Sequence, residues 1–417
     1  MSMTRILDSR PSLSLFTGAG GLDLGLELAG FETALCVEMD QDSRETLKIN
    51  RPGWRLSDPG DIHELEPEDV LRQASLKPRQ TMLLAGGPPC QPFSKSAYWA
   101  SGHGRRLRDP RARALRAYIR VVEAALPRVF LLENVKGLAY AGKDEGVKLL
   151  RREIGAINRR HGTNYKLQVI HVNAVDYGVP QFRERVFLLA SIDGGALKLP
   201  PPTHGPGGGL EPYLTAWDAI GDLDQDTWAS ELDLTGRWAA LLPSIPEGQN
   251  YLWHTPRNES NGGKPLFGWR TRYWSFLLKL AKDRPAWTIQ ADPGPATGPF
   301  HWRSRLLSIE ELCRLQTFPS EYRIAGTRRS AHRQVGNAVP GAIGELLGLE
   351  IRRQFLGERV RRTMRLRPDR RPNRPPSEAP SHVPTRYLEL RGRHRDHPGM
   401  GLGPGARRRE EELGALR

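Results

Sequence analysis

The chain has 417 residues, enough for two or three domains of roughly 100–200 residues each, and its 62 Lys+Arg against 47 Asp+Glu leave a net charge of +15. That excess points to a polyanionic partner, nucleic acid first. Cys36, Cys90 and Cys313 are too few and too scattered for a disulfide framework or a four-ligand zinc site, no stretch approaches the roughly 18 apolar residues of a membrane span, and residues 1–11 lack a signal peptide's apolar centre. A soluble, cytoplasmic protein without membrane contact is expected.

From residue 12 to residue 192, short apolar runs alternate with helix-like segments, the pattern of a doubly wound α/β domain. The expected strands are 12–16, 33–38, 81–85, 129–133, 167–172 and 185–192. Residues 22–29 and 114–125 carry apolar side chains at helical spacing and read as helices between them. Between the last two strands Gly178 and Pro180 interrupt a segment with no helical period, which predicts an antiparallel pair rather than a parallel crossover.

Past Lys198 the composition changes, with Pro200-Pro201-Pro202 and Gly207-Gly208-Gly209 forming a linker, and seven of the ten tryptophans fall between Trp217 and Trp287. A second, smaller and irregular domain built around aromatics is expected over 199–325. Ser308 should cap a helix over 308–316 with Glu310 and Glu311 in its first turn, and 342–355 should form a final amphipathic helix as the chain returns to the first domain over 326–356. Residues 361–417 hold fifteen arginines and seven acids, +8 of the total +15, and from 357 onward the chain is Arg-, Pro- and Gly-rich. With few large apolar residues it is expected to remain a disordered basic tail.

Phe16-Thr17-Gly18-Ala19-Gly20-Gly21 joins a strand to a helix, so its glycines can turn backbone N–H groups toward a ligand at the helix N-terminus. The third glycine of a dinucleotide fingerprint is missing, because that position is Asp23. Glu38, about 20 residues on, ends the next strand where an acid can accept from ribose hydroxyls. Asp61, beside Ile62, could accept from an adenine amino group. Together these describe a pocket for a nucleoside without phosphate, which S-adenosylmethionine fits.

Gly86-Gly87-Pro88-Pro89-Cys90-Gln91-Pro92-Phe93-Ser94 follows the third strand at the carboxyl edge of the sheet, where open α/β sheets bind ligands. Cys36 and Cys313 lie on apolar elements and read as core, whereas Cys90 lies in a proline-stiffened loop and reads as a nucleophile. Glu133-Asn134-Val135 ends the fourth strand on the same edge and offers a proton donor. Gln181-Phe182-Arg183-Glu184-Arg185 opens the last strand with Arg183 and Arg185 on one face.

In this order, with Arg314-Leu315-Gln316-Thr317-Phe318-Pro319 and Gln334-Val335-Gly336-Asn337-Ala338-Val339-Pro340, the motifs resemble those of the DNA (cytosine-5) methyltransferases, over residue 13 to about residue 355. The resemblance implies a Rossmann-like methyltransferase domain with a target-recognition domain, S-adenosylmethionine as cofactor and double-stranded DNA as substrate. It implies that Cys90 adds to cytosine C6, Glu133 protonates N3, Arg185 contacts O2, and Arg183 holds the closed loop and backbone. It assigns the cofactor to Phe16, Gly18, Gly20, Gly21, Glu38, Asp61, Ile62, Pro89, Asn337 and Val339, and DNA contacts to Gln91 and Ser94. The target base would be rotated out of the duplex. A monomeric prokaryotic modification enzyme is expected, paired with a cognate restriction endonuclease or solitary. Methylation of tRNA cytosine and a catalytically silent DNA-binding protein are the alternatives.

Overall fold

The computed structural model describes residues 9–89, 112–134, 145–256, 258, 265–267, 274–361 and 363–391. Six strands form one sheet: β1 (Pro11–Leu15), β2 (Glu32–Val37), β3 (Leu83–Gly86), β4 (Val129–Asn134), β5 (Gln168–Asn173) and β6 (Glu184–Ser191), in the order β2-β1-β3-β4-β6-β5. The pairs β2–β1, β1–β3 and β3–β4 are parallel; β6 runs antiparallel to both β4 and β5. All six expected strands are present within a few residues of their predicted ends, and the antiparallel pairing of the last two is as the interrupted connection implied.

The two-residue period of the strands sorts their side chains onto two cores. Leu13, Leu15, Leu35, Leu84, Phe130, Leu132 and Leu188 point to one face, covered by α3 (Pro67–Ala74), α4 (Ala112–Ala125) and α5 (Glu145–His161). Leu83, Ala85, Val129, Leu131, Phe187 and Leu189 point to the other, covered by α1 (Gly21–Leu28) and α9 (Gly341–Phe355). A sheet buried on both faces explains why its strands read as nearly continuous apolar runs.

Helix α9 closes the fold by lying directly on α1. A Cβ on Gly25 would fall 2.1 Å from the Gly341 carbonyl oxygen, and one on Gly344 would fall 2.4 Å from that of Leu22. Backbone-to-backbone approach at this distance admits only glycine. Two further helices, α2 (Gln41–Asn50) and α8 (Arg328–Asn337), were not apparent from periodicity. Each is capped by its preceding residue: Asp40 accepts from Ser43 N, and Thr327 from Ser330 N.

Between the linker and α8 the described chain forms helices of three to seven residues and isolated bridges rather than a sheet. Helix α6 (Ala216–Ile220) is fixed by a capping box between Thr215 and Asp218. Helix α7 (Ile309–Leu315) has the expected Ser308 cap, completed by Glu311. The aromatic core is present: Trp238, Tyr251, Phe267 and Phe276 pack with Leu241, Leu242 and Ile245. A second cluster joins Ala216, Ile220, Trp302, Leu312 and Phe318 to Ala19 and Leu24 of the glycine turn and α1.

The expectation of a disordered tail from residue 357 requires correction for the described part of that segment. Glu358 pairs with Arg10 and Arg352, the amides of Arg365 and Leu366 donate to Glu345, Arg371 binds Asp218 and Asp222, and Tyr387 is buried in the aromatic core. Composition shows that this segment has no core of its own. It uses two cores already built, placing Met364 and Leu366 on one and Tyr387, Leu388 and Leu390 on the other.

Candidate active site

The chain runs from β1 out to β2 on one side and returns to β3 on the other, so a crevice opens between the carboxyl ends of β1 and β3. The glycine turn lies there. Phe16 N and Thr17 N both donate to Val37 O, at 2.8 and 3.4 Å, while Phe16 (φ 57°), Gly18 (φ 55°) and Gly20 (φ 77°) take left-handed conformations. Gly20 caps α1, and Gly21 lies against the far wall, where an added Cβ would be 2.4 Å from Val339 O.

Glu38 is buried, and each carboxylate oxygen accepts one backbone N–H: Oε2 from Gly18 at 2.7 Å and Oε1 from Asp40 at 2.8 Å. A carboxylate has about four lone-pair sites, so one site per oxygen remains for a ligand. Burial pushes its pKa up from the usual carboxylate range, and the two N–H groups oppose that rise.

The opposite wall is the turn after α8. It is held by Arg183, which is fully buried and donates to Gly336 O at 2.7 Å, Ala338 O at 2.8 Å and Ile289 O at 3.1 Å. Gln181, also fully buried, accepts from Ile289 N at 3.1 Å and donates to Leu315 O at 3.2 Å. The QxRxR segment thus ties β6, the aromatic region and the closing segment together. Arg183 also donates to Gln181 Oε1 at 3.4 Å, so among the described residues its hydrogen bonds hold the wall of the cavity in place.

At the reactive end Arg185 Nε lies 2.8 Å from Glu133 Oε1, with both side chains nearly buried. Burial raises the Glu133 pKa above its ordinary value, against the opposing pull of Arg185 and Arg183. A Cβ on Gly87 would be 3.1 Å from Glu133 Oε2, so the glycine leaves that oxygen uncovered.

Phe16, Gly18, Gly21, Glu38, Pro89, Glu133, Arg185, Asn337 and Val339 line one continuous cavity of about 430 Å³, within the range of small-molecule sites. Gly20, Asp61 and Ile62 are not in its wall. Gly20 is turned toward Leu47 and Tyr322, Asp61 accepts from His63 N of its own turn, and Ile62 is buried in the core beneath β1 and β2. Gly60 brings that turn against the Glu38 main chain, 2.5 Å from its oxygen for an added Cβ, so the turn supports the pocket from behind. Cys90, Gln91 and Ser94 lie outside the described residues.

Sequence reasoning missed Asp23, Met39, Asp40 and Arg333, all in the cavity wall. Arg333 donates to Asp40 Oδ2 at 2.9 Å and so joins α8 to the cap of α2. The available signal was the Asp40-x-x-Ser43 spacing of a helix cap. Among the described residues no helix is long and apolar enough to cross a membrane.

Comparison with known proteins agrees with this geometry. A family model described as C-5 cytosine-specific DNA methylase matches residues 11–353. The chain is 36% identical over 367 residues to the Type II methyltransferase M.SacI of Streptomyces achromogenes, covering 81% of this chain and 91% of that one. It is 33% identical over 334 residues to M.NgoFVII of Neisseria gonorrhoeae, covering 79% and 82%. In fold it is similar to a protein encoded within an Escherichia coli prophage (TM-score 0.60, 22% identity, covering 84% of this chain and 100% of that one). The same holds for a Spodoptera frugiperda DNMT2 mutant (TM-score 0.56, 15% identity, covering 82% and 99%). With the ordered motifs gathered on one edge of a mostly parallel sheet, the chain belongs to the C-5 cytosine-specific DNA methylase family and is a DNA cytosine-5 methyltransferase.

Proposed function

We infer that the protein methylates carbon 5 of one cytosine within a specific duplex DNA sequence, as the modification partner in a type II restriction-modification system or as a solitary modification enzyme. The observation that carries this reading is the single cavity that has the glycine turn and Glu38 at one end and the Glu133–Arg185 pair at the other. The residues fit S-adenosylmethionine: an acid with free acceptor sites suits ribose hydroxyls and disfavours a phosphate. When bound, that cofactor supplies an electrophilic sulfonium methyl group.

Cytosine C5 is too electron-poor to attack a methyl group directly, and this chain's residues make it a nucleophile. Cys90, next in sequence after Pro89 of the cavity wall, adds as thiolate to C6 while protonated Glu133 gives its proton to N3. Electrons displaced from the C5–C6 bond yield an enamine whose C5 takes the methyl group. Loss of the C5 proton to a base then re-forms the C5–C6 double bond and expels Cys90 as thiolate, and the N3 proton returns to Glu133. Arg185 donates toward base O2 and keeps Glu133 oriented. Rotating the base out costs a few kcal/mol, offset by contacts to phosphates and the opened duplex. The protein would act as a monomer in the cytoplasm, at the nucleoid.

The test is trapping. Duplex DNA with 5-fluorocytosine at the target should yield a denaturation-resistant adduct through Cys90, because fluorine does not leave as a proton, and Cys90→Ala should yield none. Bound DNA without an adduct in the wild-type protein would reject the mechanism. Bisulfite mapping of DNA from cells expressing the chain identifies the recognised sequence in the same programme.

A further inference from the structure

Asp23 is a buried acid in the cavity wall with no part in the proposed reaction. It sits in the first turn of α1, two residues after Gly21, is 4% exposed, and lines the same cavity as Glu38. Ser14 of β1 hydrogen-bonds to its carboxyl. No arginine, lysine or histidine pairs with it among the described residues. The like charge of Glu27 acts on it, and Glu27 is itself engaged by Arg51 Nε at 2.7 Å and by Trp54 Nε1 at 3.2 Å. Beneath it, Cys36 is a fully buried thiol that offers no counter-charge.

We propose that Asp23 is the receptor for the α-ammonium group of the cofactor's amino-acid arm, the cation that completes an otherwise uncompensated buried carboxylate in the cavity wall. This rests on the reading of the cavity as an S-adenosylmethionine site and deepens it. Glu38 serves the ribose, and a second acid on the same wall is needed only if the ligand carries a positive group as well as a nucleoside. A buried carboxylate gains most from a partner that enters with its own charge. Burial holds the Asp23 carboxyl at a pKa of about 6 with no cation to oppose the rise, as expected of an acid awaiting its counter-ion. The backbone dipole at the start of α1 also favours an acid there, and a purely structural Asp23 would need nothing further. The two roles differ in which ligands sense the residue.

The experiment is equilibrium binding, without turnover, of three nucleosides to the wild-type chain and to Asp23→Asn. S-adenosylhomocysteine carries the ammonium, its deamino analogue lacks only that group, and 5′-methylthioadenosine lacks the whole amino-acid arm. The wild type should prefer S-adenosylhomocysteine to the deamino analogue by tenfold or more. Asp23→Asn should weaken S-adenosylhomocysteine ten- to hundredfold, abolish that preference, and leave 5′-methylthioadenosine within twofold, which also reports an intact fold. Ser14→Ala, removing the hydroxyl that orients the carboxyl, should give a smaller loss confined to S-adenosylhomocysteine. Equal wild-type affinity for S-adenosylhomocysteine and its deamino analogue overturns the proposal even if the variant does not fold. So does an equal loss for all three nucleosides in Asp23→Asn. If the wild type binds none of the three, the cofactor reading falls and the proposal with it.

Discussion

Arg185 Nε stands 2.8 Å from Glu133 Oε1, so the two groups proposed to act on N3 and O2 of one pyrimidine are held side by side. The strands impose this: β4 and β6 are antiparallel, with Glu133 opposite Phe187 and Asn134 opposite Val186, so Arg185 at the start of β6 meets the end of β4. Glu133→Gln keeps the shape and removes the transferable proton. Single-turnover methyl transfer should fall about 10²–10⁴-fold while DNA affinity stays within a few fold.

A pH dependence follows from the same carboxyl. Burial raises the Glu133 pKa, and in the proposed reaction its protonated form is the one that acts. The single-turnover rate should therefore decline as pH rises through that raised pKa, and the declining limb should be absent from the residual rate of Glu133→Gln. The same sign governs folding. An acid whose pKa is higher in the folded protein contributes stability below its unfolded value of about 4.3, and that contribution is lost as pH rises through the folded value. A rate that increases across this window would show that the ionised form is the active one.

Arg183 differs from Arg185 although the two share one motif. Its guanidinium is spent on the carbonyls of Ile289, Gly336 and Ala338. Arg183→Ala leaves these buried acceptors without a donor and should cost about 3 kcal/mol or more by urea unfolding. Arg183→Lys should recover little, because one ammonium cannot reproduce a planar fork and burial already disfavours a cation there. An Arg183→Ala protein of wild-type stability but no activity would make Arg183 catalytic instead.

The strands were legible because each combines an alternating or continuous apolar run with a turn signal, and the positions of Glu133 and Arg185 because both lie at strand ends. Helix α8 was not legible: its buried face is Ser330, Ala331, Gln334, Val335 and Gly336, with almost no apolar period to detect. What holds it is a polar network, Thr46 Oγ1 to Gln334 Oε1 at 2.7 Å and Gln334 Nε2 to Ala325 O at 2.8 Å, between residues distant in sequence. Asp23 looked like a departure from a glycine fingerprint because only the folded turn shows which cavity a helix's first turn lines. Arg183 and Arg185 share a face in sequence, and only packing shows that the first holds the far wall of the cavity while the second pairs with Glu133.

Glycines at the α1–α9 contact make a quantitative test of closure. A Cβ on Gly25 would meet Gly341 O at 2.1 Å and Glu345 N at 2.3 Å, both backbone atoms that cannot rotate away. Overpacking of this kind costs about 1–3 kcal/mol, and more where backbone must move. Because α9 follows directly from Asn337 and Val339, Gly25→Ala should also weaken cofactor binding, whereas Gly53→Ala, with no atom within 4 Å of the added carbon, should do neither. Thermal unfolding and equilibrium binding on the two variants separate these outcomes.

Tyr387 ties the C-terminal segment to the aromatic core. Its ring stacks on Trp238 at 5.9 Å with an interplanar angle of 16°, and its hydroxyl donates to Arg237 O at 2.6 Å. On the way there the segment meets Glu345 of α9, Asp218 of α6 and Glu247. A segment so rich in arginine and proline has little reason to fold alone, so its order must come from these anchors, with Tyr387 the largest buried one. Tyr387→Ala should destabilise the aromatic core by about 3 kcal/mol, the lower end for loss of a buried aromatic, and Tyr387→Phe by about 1 kcal/mol for the hydrogen bond alone. Hydrogen exchange should locate the loss in the 3-10 turn Ala239–Ser244 and around Tyr251, leaving β1 to β4 protected. Unchanged exchange there in Tyr387→Ala would mean that the segment rests on the aromatic core without supporting it.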